Sequence, residues 1–117
     1  MMNESILNKI EDLIKNNKIN QAQLEISKLG PEFHKNIEYL FLRSKIFYIN
    51  KLYYQALDAL LIATEFQEKE KVYNLISKIY NAIGNKELSK KISNPEQRLV
   101  TINNLKKELT GIIQKEE

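Results

Sequence analysis

The chain has 117 residues, 43% of them hydrophobic and 28% charged, with no cysteine. That length and balance fit one soluble domain, residues 1–117, with a core of its own, and they exclude disulfides, thiol catalysis and cysteine-ligated zinc. The 18 Lys plus Arg against 15 Asp plus Glu leave a net charge of +3, mild for a chain that tracks a phosphate backbone, and the single His34 has no second imidazole with which to hold a metal.

In chain order, Met1, Met2, Asn3, Glu4 and Ser5 lack the basic start of a secretory signal. Apolar residues then recur at intervals of three and four: Ile6, Ile10, Leu13 and Ile14, then Tyr39, Leu40, Leu42, Ile46 and Phe47, then Val72, Leu75, Ile76, Ile79, Tyr80 and Ile83. Between them, Gly30-Pro31 closes one segment and Gly84-Asn85 sits in a tight turn. Asn94-Pro95-Glu96-Gln97 reads as an N-cap, a proline at the first helical position and a glutamine that completes a capping box. A last helix over 95–114 carries the apolar stripe Leu99, Ile102, Leu105, Leu109, Ile112 and Ile113, interrupted by Gly111. No segment alternates as a strand does, so the expectation is about seven helices and no sheet, an all-α chain. The longest apolar run, Ala59 to Ala63, is five residues, far below the roughly 20 that cross a bilayer, so no membrane partner is expected and the cytoplasm is the expected location.

Self-comparison adds a period. Asn17-Lys18-Ile19-Asn20-Gln21-Ala22, Lys51-Leu52-Tyr53-Tyr54-Gln55-Ala56 and Gly84-Asn85-Lys86-Glu87-Leu88-Ser89 correspond at offsets of 34 and 33 residues. Such a spacing fits a hairpin of two antiparallel helices, repeated so that each hairpin buries its face on its neighbours. Small residues, Ala22, Ala56 and Ser89, fall where the second helix crosses the first. Leu13, Phe47 and Tyr80 stand opposite them, with Ile6, Leu40 and Tyr73 two turns earlier.

With these columns the chain resembles the tetratricopeptide repeat family. Ser44 and Ser77 match the family's small residue in the first helix, and Ile10 departs from it. Leu60, Ala63 and Ile26 fit the second-helix pattern, whereas Leu29 and the early Pro31 do not. The resemblance implies a right-handed helical-hairpin solenoid of about three degenerate repeats, residues 3–36, 37–69 and 70–93, closed by a C-terminal capping helix. It also implies a concave groove lined by the first helices. Carried over residue by residue, the groove positions are Glu4, Leu7, Glu11, Ile14 and Lys15 in the first repeat. The second contributes Glu38, Phe41, Lys45, Tyr48 and Ile49, and the third Lys71, Asn74, Lys78, Asn81 and Ala82. Of these, Leu7, Ile14, Phe41, Lys45, Tyr48, Ile49, Lys71, Asn74, Lys78 and Asn81 are the expected partner-binding residues. Phe41 and Tyr48 also fit a core reading, and the last helix fits either a cap or a dimer seam. The family's clamp for a terminal carboxylate is missing, because Leu7 and Glu11 occupy two of its positions and only Lys71 matches. In overall plan the chain is also similar to the small tetratricopeptide-like co-chaperones of type III secretion needle subunits.

Catalytic chemistry is poorly represented. Glu11-Asp12 and the pair Glu65 and Glu68 read as helix-surface charges, His34 has no partner in sequence, and no glycine-rich phosphate loop occurs. The run Lys78, Lys86, Lys90, Lys91, Arg98, Lys106 and Lys107 outweighs Glu87 and Glu96, yet one arginine, with no aromatic interleaved in the helix turn that carries it, is weak support for nucleic-acid binding. The expectation is therefore a protein without enzymatic activity, metal or cofactor. Its expected role is that of an adaptor or chaperone holding an amphipathic helix or extended segment of another protein, with self-assembly into a homodimer or larger scaffold as the alternative.

Overall fold

Three helices end in the same way, and each ending starts the next helix. The computed structural model describes the backbone of residues 2–116 and the side chains of residues 5–108. Glu4, Leu109, Gly111, Ile112 and Ile113, for which the sequence raises expectations, lie outside the described side chains. Seven α-helices and no strand occur among the described residues. They are α1 (Met2–Lys15), α2 (Ile19–Ser27), α3 (Ile37–Ile49), α4 (Tyr53–Phe66), α5 (Glu70–Ala82), α6 (Lys86–Ser93) and α7 (Pro95–Glu116), with a 3₁₀ turn at Pro31–Phe33.

After α1, α3 and α5 the backbone turns through a left-handed residue: Asn17 at φ +61°, Lys51 at +62° and Gly84 at +90°. At each, the next residue's N–H reaches back five positions to a carbonyl at 2.8 Å, Lys18 to Leu13, Leu52 to Phe47 and Asn85 to Tyr80. The left-handed residue itself donates three positions back, to Ile14 and Tyr48 at 3.0 Å and to Asn81 at 3.1 Å. This pair of bonds is the Schellman closure of a helix, which satisfies carbonyls that the helix leaves open. The same residue then opens the following helix, since Ala22, Ala56 and Ser89 donate to the carbonyls of Lys18, Leu52 and Asn85 at 3.0 to 3.1 Å. The sequence period of 34 and 33 residues is thus a period of identical turns. Lysine at a left-handed position carries a penalty of about 1 kcal/mol that glycine avoids.

The chain divides into two compact units, Met1–Glu68 and Lys69–Glu117. In the first unit α3 is the hub, packing on α1, α2 and α4, while α1 also packs on α2. Its buried residues, Tyr39, Leu40, Leu42, Ser44 and Ile46, accordingly point in several directions. Ala22 and Ala56 are completely buried, as close helix crossings require. Ile10, which breaks the small-residue pattern, is completely buried as well, so the first hairpin takes an isoleucine where the second has Ser44, whose hydroxyl donates to the Phe41 carbonyl at 2.6 Å. The connection between α2 and α3 buries Phe33 beneath Tyr39, ring centroids 5.9 Å apart, and Asn36 caps α3 by accepting the Tyr39 N–H at 3.0 Å.

In the second unit α6 packs on both α5 and α7. At the small-residue crossing of this unit hydroxyls from both helices meet. Ser77 Oγ lies 2.9 Å from the Ser89 hydroxyl and 2.7 Å from that of Ser93, and Ser89 Oγ donates to the Ser77 carbonyl at 2.9 Å. Asn94 does cap α7, but through the Glu96 N–H at 2.9 Å. Its own N–H is used to close α6 on the Lys90 and Lys91 carbonyls, so it is not available for the return bond of a capping box with Gln97.

Candidate partner-binding face

The expected groove residues separate into two groups by burial. Leu7 and Ile14 are only 6% and 8% exposed, and with Ile10 they form the inward stripe of α1, so they are core rather than contact residues. Leu7 and Leu42 floor a depression of about 220 Å³ whose rim carries Asn8, Glu11 and Glu38. This end of the face is rimmed by acid rather than apolar throughout. The Glu11 carboxylate, 2.9 Å from Lys15, holds that ammonium above its ordinary range.

On α3 the other positions are accessible. Phe41, Lys45 and Tyr48 are half-buried and Ile49 is 41% exposed. The Lys45 ammonium sits over the Phe41 ring, 5.6 Å from its centroid, and the Tyr48 ring lies 5.9 Å from that of Tyr53 at the start of α4. A helix with apolar side chains on all sides is normally enclosed. Here α3 is enclosed on the sides that meet α1, α2 and α4, and these four residues form an accessible row of aromatic and aliphatic surface with one cation across it. Rings fixed by a neighbouring cation or ring offer large contact area with little rotamer entropy to lose.

In the second unit, Lys71, Asn74, Lys78 and Asn81 are all exposed and recur at three and four residues, so they share one polar face of α5 opposite Val72, Ile76 and Ile79. Within each unit the expected residues other than Leu7 and Ile14 therefore fall on one helix face.

Sequence reasoning places Arg98 in a basic patch; it is 7% exposed. Its Nε donates to the Ile92 carbonyl at 2.8 Å, its two terminal nitrogens donate to the Glu70 carboxylate at 2.9 Å each, and its guanidinium lies 4.4 Å from the Tyr73 ring centroid. The buried stripe of α7 thus begins at Arg98 and continues through Thr101 and Ile102, whereas Leu99, expected in that stripe, is 50% exposed. The spacing of Arg98 from Ile102 and Leu105 is the signal that could have identified it. Lys91 pairs with Glu87 at 3.2 Å one turn earlier on the surface of α6.

Among the described residues no three His, Asp or Glu side chains gather as a metal site, and no helix is long and apolar enough to cross a membrane. The chain matches no protein-family model, no curated protein and no solved structure.

Proposed function

We propose that this chain is a non-enzymatic protein-binding module, an adaptor or chaperone, that holds an amphipathic segment of another polypeptide. The single observation that carries the reading is the accessible row Phe41, Lys45, Tyr48 and Ile49 on α3, the helix that packs on α1, α2 and α4. In this reading the three hairpins are tetratricopeptide-like repeats stacked as a right-handed solenoid with α7 as its cap. The recurrence of one turn geometry at Asn17, Lys51 and Gly84 supports it. Each apolar anchor that a partner buries on the α3 row contributes about 1.5 to 3 kcal/mol. An acidic group on the partner meets Lys45 in the same row, which sets register and association rate more than affinity.

A selection of helical peptides against the protein tests the reading. Selected sequences should share two apolar positions at helical spacing, and their binding should vanish in Phe41→Glu and Tyr48→Glu while helicity and cooperative melting persist. Peptides that bind both variants as well as the parent would contradict it.

Self-association is the second reading, favoured by the neighbouring Leu99 and Val100 on α7, 50% and 64% exposed. Sedimentation at several concentrations separates the two, because a homodimer through α7 dissociates on dilution and is lost in Val100→Glu.

A further inference from the structure

On the side of α3 opposite the Phe41 row, a cavity of about 330 Å³ opens between α2 and α3 in the first unit. Its apolar lining comes from Ile26, Leu29 and Ile46. Its other wall is a ladder of rings with one cation. The His34 imidazole stacks on Tyr39 at 6.3 Å, and one turn further along α3 the Arg43 guanidinium lies 5.3 Å from the Phe47 ring centroid. Among the described residues Arg43 has no carboxylate partner, and no acidic side chain lines the cavity; the remaining lining groups, Gln23 and Ser27, are neutral.

We infer that this cavity binds a planar apolar group bearing a carboxylate, with the ring between Phe47 and the aliphatic wall and the carboxylate on Arg43. A volume near the lower end of ligand pockets, apolar walls and a few convergent polar groups suit a ligand of one ring and a short acid arm. Arginine is the side chain whose fork matches a carboxylate with two parallel hydrogen bonds, and its stacking on Phe47 fixes the plane of that fork. Arg43, exposed at the cavity and with no acid in the lining, leaves its mouth positive. The chemistry is shared by two sources, a free aromatic acid and the carboxyl terminus of a polypeptide ending in an aromatic residue. The site is independent of the Phe41 row, since the two occupy opposite sides of α3.

Titration of the ¹⁵N-labelled protein with indole-3-acetate, indole-3-acetamide and a short peptide ending in phenylalanine with a free carboxylate tests the inference. The acid should produce saturable shifts centred on Ser27, His34, Arg43 and Phe47, and the neutral amide should bind at least about tenfold more weakly. Arg43→Gln should lose binding by a similar factor, and Ser27→Phe, which fills the mouth from α2 and leaves Arg43 in place, should lose it too. Tighter binding of the peptide identifies a polypeptide source, tighter binding of the free acid a metabolite, and either result upholds the carboxylate chemistry. Equal binding of acid and amide, unsaturable shifts from both carboxylates, or unaltered binding in Arg43→Gln overturns it. Phe41→Glu should leave these titrations unchanged, so failure here is distinguishable from failure of the peptide-binding reading.

Discussion

Arg98 and Glu70 join the first turn of α7 to the first turn of α5 through two parallel hydrogen bonds, each 2.9 Å long. The arginine is buried while the Glu70 side chain is 67% exposed, so the pair is unequal: most of the desolvation falls on the guanidinium. The Ile92 carbonyl and the Tyr73 ring complete its surroundings, which lets a cation sit in the contact between α6 and α7.

Removing the carboxylate should therefore be felt mainly through the arginine it leaves behind. Glu70→Ala should destabilise the second unit by about 1 to 2 kcal/mol, and Arg98→Ala by about 2 to 3 kcal/mol, because the latter also loses the stacking on Tyr73 and the bond to Ile92. Urea denaturation gives both values. Hydrogen exchange should show α7 losing protection before α5 in either variant.

The three left-handed residues make a graded series. Lys51→Gly should stabilise the protein by about 0.5 to 1 kcal/mol, and Asn17→Gly by less, because asparagine already tolerates this conformation. Gly84→Ala should destabilise by about 1 kcal/mol despite open space around the added Cβ, since its φ of +90° is itself unfavourable for an L-residue. Thermal melts of the three variants rank them.

At the crossings of α3 with α4 and α5 with α6, side-chain volume and polarity are tested separately. Ala56→Leu should destabilise by about 1 to 3 kcal/mol through overpacking at a fully buried position. Ser77→Ala removes the hydroxyl that joins Ser89 and Ser93 and should cost about 1 kcal/mol. Ser77→Val should cost more than Ser77→Ala, because it adds volume at the same point. The same denaturation measurements decide the order.

Where local pattern controls the outcome, the sequence was legible. The recurring stretches at Asn17, Lys51 and Gly84 located three turns whose backbone geometry is the same, and Asn94-Pro95 located the start of α7. What one residue does at a distance was not legible. Leu7 and Ile14 resemble groove residues in a one-dimensional register, but the inward stripe of α1 is set by its packing on α2 and α3. Arg98 resembles one more surface cation until Glu70, 28 residues earlier, is placed beside it. The Pro31–Phe33 turn is a third case, since Phe33 is held by Tyr39 across the connection rather than by a periodic helix face. The cavity wall of His34, Tyr39, Arg43 and Phe47 combines that connection with one stripe of α3, and neither segment announces a pocket alone.

The row on α3 decides the functional account. A photo-cross-linking amino acid at position 48, with the selected helical peptide as target, reports contact directly, and far-UV circular dichroism of Phe41→Glu reports folding in parallel. Saturable cross-linking that disappears in the folded Phe41→Glu background is the expected result. A Phe41→Glu variant that loses cooperative melting, or cross-linking that persists undiminished in it, would place Phe41 in the core or the partner elsewhere, and the account would be wrong.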